Sequence, residues 1–273
     1  MRGRESKGKE EEPGYLSFAV PIDDHTDKFV LGVDKKIIII RWNSFENKFH
    51  PDWGLLETVD QTIPSNILTY GTVDNLGRLI FGTMNTDGLK LANISSLNFK
   101  LDLKTHISGF AWCKGLVVDT YSPQSKWYLV NSDRHYNLLA YNYQMRNGRI
   151  GSSQAVFDWT QQRMTGSLRR LTVDRDGKLW IALDGGHGII RVDAKGRNIM
   201  KYVGMPVLSV GACTFGGPKS DILFISTIPS FHENHNGQKD KGGSIFAVLG
   251  LGVRGLPTKG FRLLQNIIES KLP

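Results

Sequence analysis

The sequence predicts an all-β protein of the β-propeller type, and three observations lead to that prediction. A strand–turn–strand phrase occurs five times, and its copies recur roughly every 45–55 residues, close to the repeat length of propeller blades. Helical periodicity is nearly absent from the chain. Radial repetition of small sheets protects their edges, which favours the propeller. A β-sandwich with long loops is the alternative.

Each copy of the phrase is recognised by its turn. Residues that accept tight or left-handed turns stand at the centre, as Asp-His-Thr-Asp, Asn-Leu-Gly, Ser-Pro-Gln-Ser, Arg-Asp-Gly and Pro-Lys-Ser-Asp. Apolar strands flank each turn, so every copy predicts a β-hairpin. The copies, in chain order, are FAVPIDDHTDKFVLGV, TVDNLGRLIFGT, LVVDTYSPQSKWYLV, LTVDRDGKLWIAL and CTFGGPKSDILFIS.

Most copies are followed by a second strand pair. The clear pairs are KIIIIRWNSFENKFH, NLLAYNYQMRNGRIGSSQAVFDW, GIIRVDAKGRNIMKYV and SIFAVLGLGVRGL. Two successive hairpins make a four-stranded sheet, so we predict five four-stranded blades within a propeller domain at residues 15–262. The tryptophans and tyrosines fall on predicted strands and are expected in the core.

The two ends of the chain differ from the repeat. Residues 1–14, MRGRESKGKEEEPG, have mixed charge and predict a disordered tail. Residues 263–273 are predicted to form a C-terminal extension. The segment FRLLQNIIESK, at residues 261–271, overlaps this extension and is the one convincing helical pattern.

Composition limits the compartment and the partners. Cys113 and Cys213 cannot form a disulfide scaffold, and we expect them to be buried small residues. No apolar run is long enough to cross a bilayer, and the N-terminus does not read as a signal peptide. We therefore expect a cytoplasmic protein without a membrane partner. The net charge of +8 makes an anionic partner possible, but the basic residues are scattered, which favours a solvated surface over nucleic-acid binding.

Several segments resemble the regucalcin family, which includes the senescence marker protein, gluconolactonases and insect luciferin-regenerating enzymes. The resemblance runs from about residue 16 to about residue 256 and rests on VDNLGRLIFGTM, DRDGKLWIA, FGGPKSDILFIST and GGSIFAVLGLGVRGL. It implies a six-bladed propeller with one axial divalent metal and lactone hydrolysis. The chain begins where family members have completed one blade, so an incomplete propeller is expected.

The resemblance places two of the family's metal ligands on basic residues here, and a third, a carboxylate of the missing first blade, has no counterpart in this sequence. A ligating Asn corresponds to Lys114 in CKGLVVD, and a ligating Asp corresponds to Arg169, beside Arg170. Cations repel a divalent ion, whereas calcium binds oxygens and preferably anionic ones. No resident metal or cofactor is therefore expected; calcium or zinc would apply if the family activity is retained.

The substrate-binding positions implied by the resemblance have also changed. In NILTYGTVD, the family's Arg, Asn and Asp correspond to Ile67, Thr69 and Tyr70. Asp87 is a candidate acid beside the site, in a loop whose alignment contains a gap.

Other polar motifs are weaker candidates. SDRHYN offers Asp133 and His135 as an acid–base pair, FHENHNG offers histidines three residues apart, and GGHGII most simply forms a blade turn. Solvated loops are the simpler interpretation of the first two motifs. The histidines and the acid of FHENHNG are His232, Glu233 and His235.

Two functions are compatible with these residues. One is a non-catalytic relative whose axial pocket, lined by Thr69, Lys114, Arg169 and Arg170 with Asp87 nearby, binds a small anion or a protein partner. The other is a metal-dependent sugar lactonase or calcium-binding protein, as in the family. A product that does not fold stably is the third possibility, because a missing blade leaves sheet edges unpaired.

Overall fold

A computed structural model describes residues 14–43, 45, 51–119, 125–131, 138–230 and 240–272 of the chain. Within these ranges, 19 strands form five antiparallel sheets, and a short helix lies near the C-terminus. The innermost strand of each sheet contacts the innermost strand of the next sheet along the chain. The fold is therefore a β-propeller with five blades, as predicted.

In each blade the strands follow chain order from the centre outward, and the fifth blade has three strands instead of four. The first blade has β1–β4, at Leu16–Pro21, Lys28–Val33, Lys36–Arg41 and Trp53–Thr58. The second has β5–β8, at Asn66–Val73, Leu79–Asn85, Ala92–Leu97 and Leu103–Phe110. The third has β9–β12, again centre outward, at Cys113–Asp119, Lys126–Asn131, Leu138–Gln144 and Arg149–Phe157. The fourth has β13–β16, at Ser167–Val173, Leu179–Asp184, Gly188–Asp193 and Asn198–Gly204. The fifth has β17–β19, at Val210–Gly216, Ile222–Thr227 and Ile245–Val248, and α1 spans Gln265–Lys271.

The fifth blade corrects one prediction. SIFAVLGLGVRGL was expected to supply two strands, but the segment forms only β19, so this sheet has three strands within the described residues. Gly250 and Gly252 follow β19 with φ of 73° and 76°, and that left-handed geometry ends the extended strand. In the second blade, β7 and β8 complete a sheet whose outer pair the sequence did not clearly indicate.

The number of blades agrees with the five repeats rather than with the six implied by the resemblance. The described residues form five sheets, and the incompleteness of the propeller stays a prediction. The predicted tail at residues 1–14 lies outside the described residues apart from Gly14. The predicted helix near the C-terminus is confirmed as α1.

The hydrophobic core lies between neighbouring blades. Between the first two blades, Val30 and Ile39 pack in one cluster with Leu68 and Leu79, and all four are buried. Trp180 is fully buried in the cluster between the fourth and fifth blades. Alternation along the strands directs one set of side chains to each neighbouring blade.

The tryptophans are only partly in this core. Trp127 and Trp180 are fully buried, which confirms the expectation for them. The expectation is wrong for Trp42 and Trp53, which are 47% and 55% exposed. Trp53 pairs with Ile40 across β3 and β4, on the face of the first blade that points away from the second blade. No described sheet covers that face, which is why the alternation no longer implies burial.

The segment from residue 249 to residue 264, here called the C-terminal strap, connects the last blade to the earlier ones. The Phe261 N–H donates to Pro21 O (2.8 Å), and Phe261 O accepts from Asp23 N (3.0 Å). The Arg262 N–H donates to Gly77 O in the second blade (2.9 Å). Helix α1 then packs on β4, with Ile268 buried in the cluster of the first two blades. The strap therefore ties the ends of the ring together.

No helix in the described part of the chain has the length and apolar character needed to cross a bilayer.

Candidate functional site

Each of the five innermost strands has a β-bulge close to its start. One residue more than on the partner strand is present in every case: Ser17 in β1, Thr69 in β5, Lys114 in β9, one of Arg169 and Arg170 in β13, and Gly211 in β17. A bulge changes the direction of a side chain and is frequent beside functional sites. These residues, here called the bulge ring, occupy equivalent levels around the axis.

The bulge ring unites three residues that the sequence analysis selected separately. The resemblance to the family assigned Thr69, Lys114 and Arg169 to its site, and all three lie at bulges. Ser17 and Gly211 belong to the same ring and were missed. Alignment of all five copies on their turns would have indicated them, because each bulge precedes its turn by a similar distance.

Lys114 and Arg169 converge on one aromatic ring. The Lys114 Nζ lies 5.3 Å from the centroid of Trp112, and the Arg169 Cζ lies 5.0 Å from it. Arg169 also donates from Nε and Nη2 to Asp184 Oδ2, at 2.9 and 2.6 Å. Cation–π attraction to an indole offsets part of the repulsion between the two cations. We call Trp112, Lys114, Arg169 and Asp184 the basic cluster.

The pKa values of Lys114 and Asp184 are both shifted by their surroundings in the basic cluster. Burial lowers the pKa of Lys114, and the Arg169 guanidinium lowers it further. Burial alone would raise the pKa of Asp184, but hydrogen bonds from Arg169 and Ser209 outweigh it, and the net shift is downward. With two cations and one carboxylate, the cluster carries a net positive charge at neutral pH and is suited to an anion.

Arg170 has a different environment from its neighbour. Its Nη2 donates to Thr69 O at 2.6 Å, and its Cζ lies 5.7 Å from the centroid of the Tyr70 ring. It also lines the central cavity, as Tyr70 does. The two successive arginines are thus divided, Arg169 toward the basic cluster and Arg170 toward the axis.

Thr69 does not present its hydroxyl to a ligand. The side chain is 6% exposed, and Oγ1 donates to Cys113 O at 2.9 Å. The part of Thr69 that meets a predicted site residue is its carbonyl oxygen, which accepts from Arg170. Thr69 therefore connects β5 to β9 and positions Arg170.

The central cavity has a volume of about 630 Å³, within the range of small-molecule sites. All five innermost strands contribute to its wall, together with the strap at Leu256, Pro257, Thr258 and Lys259. The space extends between the fifth and first blades, where Phe224, Ser226 and Ile245 line it. Among the described residues that line the cavity, Arg170 and Lys259 are the charged ones.

Asp87 and Ile67 are not part of the basic cluster. Asp87 is exposed, and its Oδ2 accepts a hydrogen bond from the Ser65 hydroxyl. Among the described residues, no hydrogen bond or ion pair links Asp87 to Lys114 or Arg169. The Tyr70 position lines the cavity, whereas Ile67 does not.

A polar network that the sequence did not indicate surrounds Asp60. Its carboxylate accepts from Asn66 Nδ2 (2.6 Å), Asn93 Nδ2 (2.8 Å) and Thr83 Oγ1 (3.1 Å). Asn85 joins through Asn66 at 2.9 Å. The backbone of Asp60 is in the left-handed region, with φ of 45°. The network satisfies the hydrogen-bonding capacity of its carboxylate and holds the loop before β5.

The residues present do not fit the family's metal. The five bulges and both arginines at the fourth of them supply two neutral hydroxyls, three cations and one glycine, and the carboxylate of Asp184 is already bound to Arg169. The described ranges contain no group of three or more His, Cys, Asp or Glu arranged to hold a metal ion. A hard divalent ion requires several oxygens, which these residues do not supply.

The remaining sequence candidates are two loop motifs and the two cysteines. Asp133 and His135, and likewise His232, Glu233 and His235, lie outside the described residues. Cys113 and Cys213 are buried free thiols, which confirms the expectation for them. Burial raises the pKa of each thiol to about 12, so neither is a thiolate nucleophile at neutral pH.

Comparison with known proteins gives consistent results. Residues 3–229 match the family described as "SMP-30/Gluconolactonase/LRE-like region". Regucalcin of Xenopus laevis is 27% identical over 214 residues, covering 76% of this chain and 70% of that protein. Thus the relatives found by sequence carry the name that the resemblance suggested.

Solved structures share the architecture. A luciferin-regenerating enzyme superposes with a TM-score of 0.80 at 24% identity, covering 92% of this chain and 82% of that one. A calcium-binding protein, regucalcin, of Agrobacterium tumefaciens strain C58 superposes with a TM-score of 0.77 at 18% identity, covering 92% and 81%. At these identities the similarity establishes the fold.

Proposed function

The chain belongs to the SMP-30/gluconolactonase/LRE-like family, and we propose that it is a non-catalytic member whose axial site binds a small anion. The observation that supports the proposal is the chemistry of the bulge ring. Lys114 and Arg169 occupy the two mappable positions at which the family resemblance implies oxygen ligands for a metal. Both replacements are cationic, so the change is from cation binding to anion binding.

The magnitude of the repulsion supports this choice. At an effective dielectric constant near 20, two unit charges about 4 Å apart interact by roughly 4 kcal/mol, and a divalent ion doubles the effect of each cation. Asp184 cannot compensate, because Arg169 already holds it at 2.6 Å. A metal would polarise a lactone carbonyl and lower the pKa of a bound water, and no such chemistry is assigned here.

For an anion, the same groups are well arranged. Lys114 is half-buried, so its charge is weakly screened by water, and its ammonium group offers donors that a carboxylate or phosphate accepts. Arg170 offers a second cation on the side of the central cavity. A protein partner with an acidic segment is the other form that such an anion could take.

The alternative function is a divalent-metal-dependent sugar lactonase or a calcium-binding protein. The regucalcin of Agrobacterium tumefaciens is described as calcium-binding, and a further structural neighbour from Xanthomonas campestris is described as a gluconolactonase. Calcium or zinc would then be the cofactor, bound by residues other than those at the bulge ring. We also propose a cytoplasmic location, since Cys113 and Cys213 are unpaired thiols.

The test is calorimetric titration of the purified full chain with calcium, zinc, manganese and magnesium, with gluconolactone hydrolysis followed in the same samples. We expect neither heat of metal binding nor hydrolysis above the uncatalysed rate. Inorganic phosphate and gluconate are then titrated into wild type and into Lys114→Gln. Anion binding that is weakened by this variant supports the proposal, whereas micromolar metal binding with turnover contradicts it.

A further inference from the structure

We propose that the anion is a monocarboxylate with an apolar body, whose carboxylate pairs with Arg170 and whose body occupies the central cavity. The inference rests on the proposed function and names the class of ligand and the cation that recognises it. Three features of the cavity lead to it, namely the charge of Arg170, the absence of acids from the described lining residues, and the predominantly apolar surface of the wall.

The first feature is the charge of Arg170. Other half-buried arginines in these blades are each paired with an aspartate: Arg78 with Asp74 at 2.7 Å, Arg169 with Asp184 at 2.6 Å, and Arg191 with Asp174 at 2.7 Å. Among the described residues, Arg170 has no carboxylate within ion-pairing distance. A guanidinium has five N–H donors in a planar fork, and Arg170 uses one of its nitrogens for Thr69 O. The remaining donors are available for a bidentate carboxylate.

The desolvation of Arg170 makes a counter-ion favourable. The residue is partly buried beside Tyr70, and a charge removed from water without a partner is costly. Burial raises the pKa of Tyr70 to about 12, so its phenol stays neutral at physiological pH and does not neutralise the guanidinium. A bound carboxylate would therefore supply the partner that the protein itself lacks.

The second feature is the sign of the charge along the cavity. Lys259, on the C-terminal strap, is the other charged residue that lines the space, and no aspartate or glutamate is among the described lining residues. A cationic ligand would meet only positive charge. A dianion would require a second buried cation beside Arg170, while Arg169 is already bound to Asp184, so a single negative charge fits best.

The third feature is the wall. Apolar side chains make the larger part of the lining surface, and polar side chains make the rest. The apolar ones include Phe18, Val20, Val118, Leu171 and Phe215, and the polar ones include Thr72, Thr172 and Thr214. A polyhydroxy acid such as gluconate would lose hydrogen bonds to water for each hydroxyl that meets this surface, and each loss weakens binding. Methylene or aromatic carbon is favoured in the same place. The volume of about 630 Å³ accommodates such a body.

The experiment measures the affinity of the full chain for acetate, butyrate, hexanoate and octanoate by calorimetry, with gluconate, inorganic phosphate and 1-octanol for comparison. We expect affinity to rise by about fourfold for each added methylene, the ratio that corresponds to the transfer of one CH2 group. Octanoate should bind more tightly than 1-octanol and gluconate, because it alone combines the charge with the apolar body.

Variants assign the interaction to Arg170. Arg170→Gln should weaken octanoate binding about 10- to 100-fold, as expected for loss of a charge-assisted hydrogen bond. Arg149→Gln is the matched control, since Arg149 is exposed on the outer strand β12 and should leave binding unchanged. Thr214→Phe adds volume at an exposed position that lines the cavity, and should weaken octanoate more than acetate. Circular dichroism and thermal melting establish that each variant is folded.

The outcomes separate this inference from the proposed function. Binding of gluconate or phosphate without any chain-length dependence keeps the anion site and overturns the apolar ligand. Equal octanoate affinity in wild type and Arg170→Gln also overturns it. The same holds if Thr214→Phe lowers the affinities for acetate and for octanoate by the same factor. If no anion binds at all, the proposed function itself fails. If Arg170→Gln does not fold, Thr214→Phe and the chain-length series decide.

Discussion

Asp74 and Asp174 occupy equivalent positions in the hairpins of the second and fourth blades, and their carboxylates accept the same set of hydrogen bonds. Each accepts from the backbone N–H two and four residues ahead, from an arginine Nε at 2.8 Å, and from an aromatic side chain. The aromatic donors are Tyr143 Oη for Asp74 (2.7 Å) and Trp180 Nε1 for Asp174 (2.9 Å). The aspartate of the repeated phrase is thus a structural residue that closes the hairpin turn.

Replacement of Asp174 should strongly destabilise the propeller. Asp174→Ala leaves the Arg191 guanidinium and the Trp180 N–H without their shared partner, and loss of one member of a buried ion pair costs about 3–5 kcal/mol. Urea denaturation at neutral pH measures the change. Asp176→Ala is the control, because Asp176 binds the same arginine but is 64% exposed, and it should cost less than about 1 kcal/mol. Equal effects of the two substitutions would refute this role.

The C-terminal strap should be needed for stability through Phe261. This side chain is fully buried among residues of the first two blades, and its backbone pairs with Pro21 and Asp23. Phe261→Ala should lower the free energy of unfolding by about 3–5 kcal/mol, since a large cavity remains. Leu264→Ala, at a position 39% exposed, should change it by less than about 1 kcal/mol. A small effect of Phe261→Ala in denaturant titrations would show that the strap is dispensable.

The stability of the second blade should depend on pH through His106. Burial lowers the pKa of His106 to about 4, and Lys104 and Arg78 act in the same direction. Because the folded-state pKa is below the unfolded value near 6.5, the unfolded chain binds more protons between pH 6.5 and 4. The free energy of unfolding should therefore fall as pH is lowered through this interval.

The magnitude expected for His106 is about 1–2 kcal/mol, reduced from the full linkage value because part of the ring is open to water. His106 Nε2 lies 2.8 Å from the Ser96 hydroxyl, and the ring packs edge-on against Trp127 at 5.3 Å. His106→Gln should remove this share of the pH dependence. Parallel pH profiles of unfolding for wild type and His106→Gln would exclude the assignment.

Replacing the two basic residues at the bulges with oxygen-bearing side chains should create affinity for a metal ion. Lys114→Asn combined with Arg169→Asp introduces an amide and a carboxylate at two bulges and frees Asp184 from its guanidinium. Three oxygen-bearing groups then replace two cations, and calcium binding should rise from undetectable to millimolar by calorimetry. Arg170→Asp changes the net charge without altering the basic cluster and should bind no calcium. Silence of the double variant would mean that the bulge ring is not where a metal can bind.

Local sequence patterns were sufficient for much of the fold. The five hairpins and the helix α1 depend on contacts between residues close in the chain, and the sequence predicted each of them; the predicted turn between β9 and β10 lies outside the described residues. The resemblance to the family selected Thr69, Lys114 and Arg169, but the sequence did not show that these residues lie at β-bulges. The prediction of a fourth strand in the last blade was wrong, because Gly250 and Gly252 adopt left-handed backbone angles that an apolar pattern does not reveal.

The sequence by itself determined the repeat, its hairpins and the presence of basic residues at the level of the axial site. Only the tertiary structure decided what each of those residues does. Arg169 meets Asp184 and Trp112, while Arg170, the next residue, meets Thr69, which is 101 positions away in the chain. The physical reason is that a bulge redirects successive side chains. Arg169 then meets a partner on the adjacent strand of its own blade, whereas Arg170 meets Thr69 of the second blade, which only the packing of blades around the axis brings close.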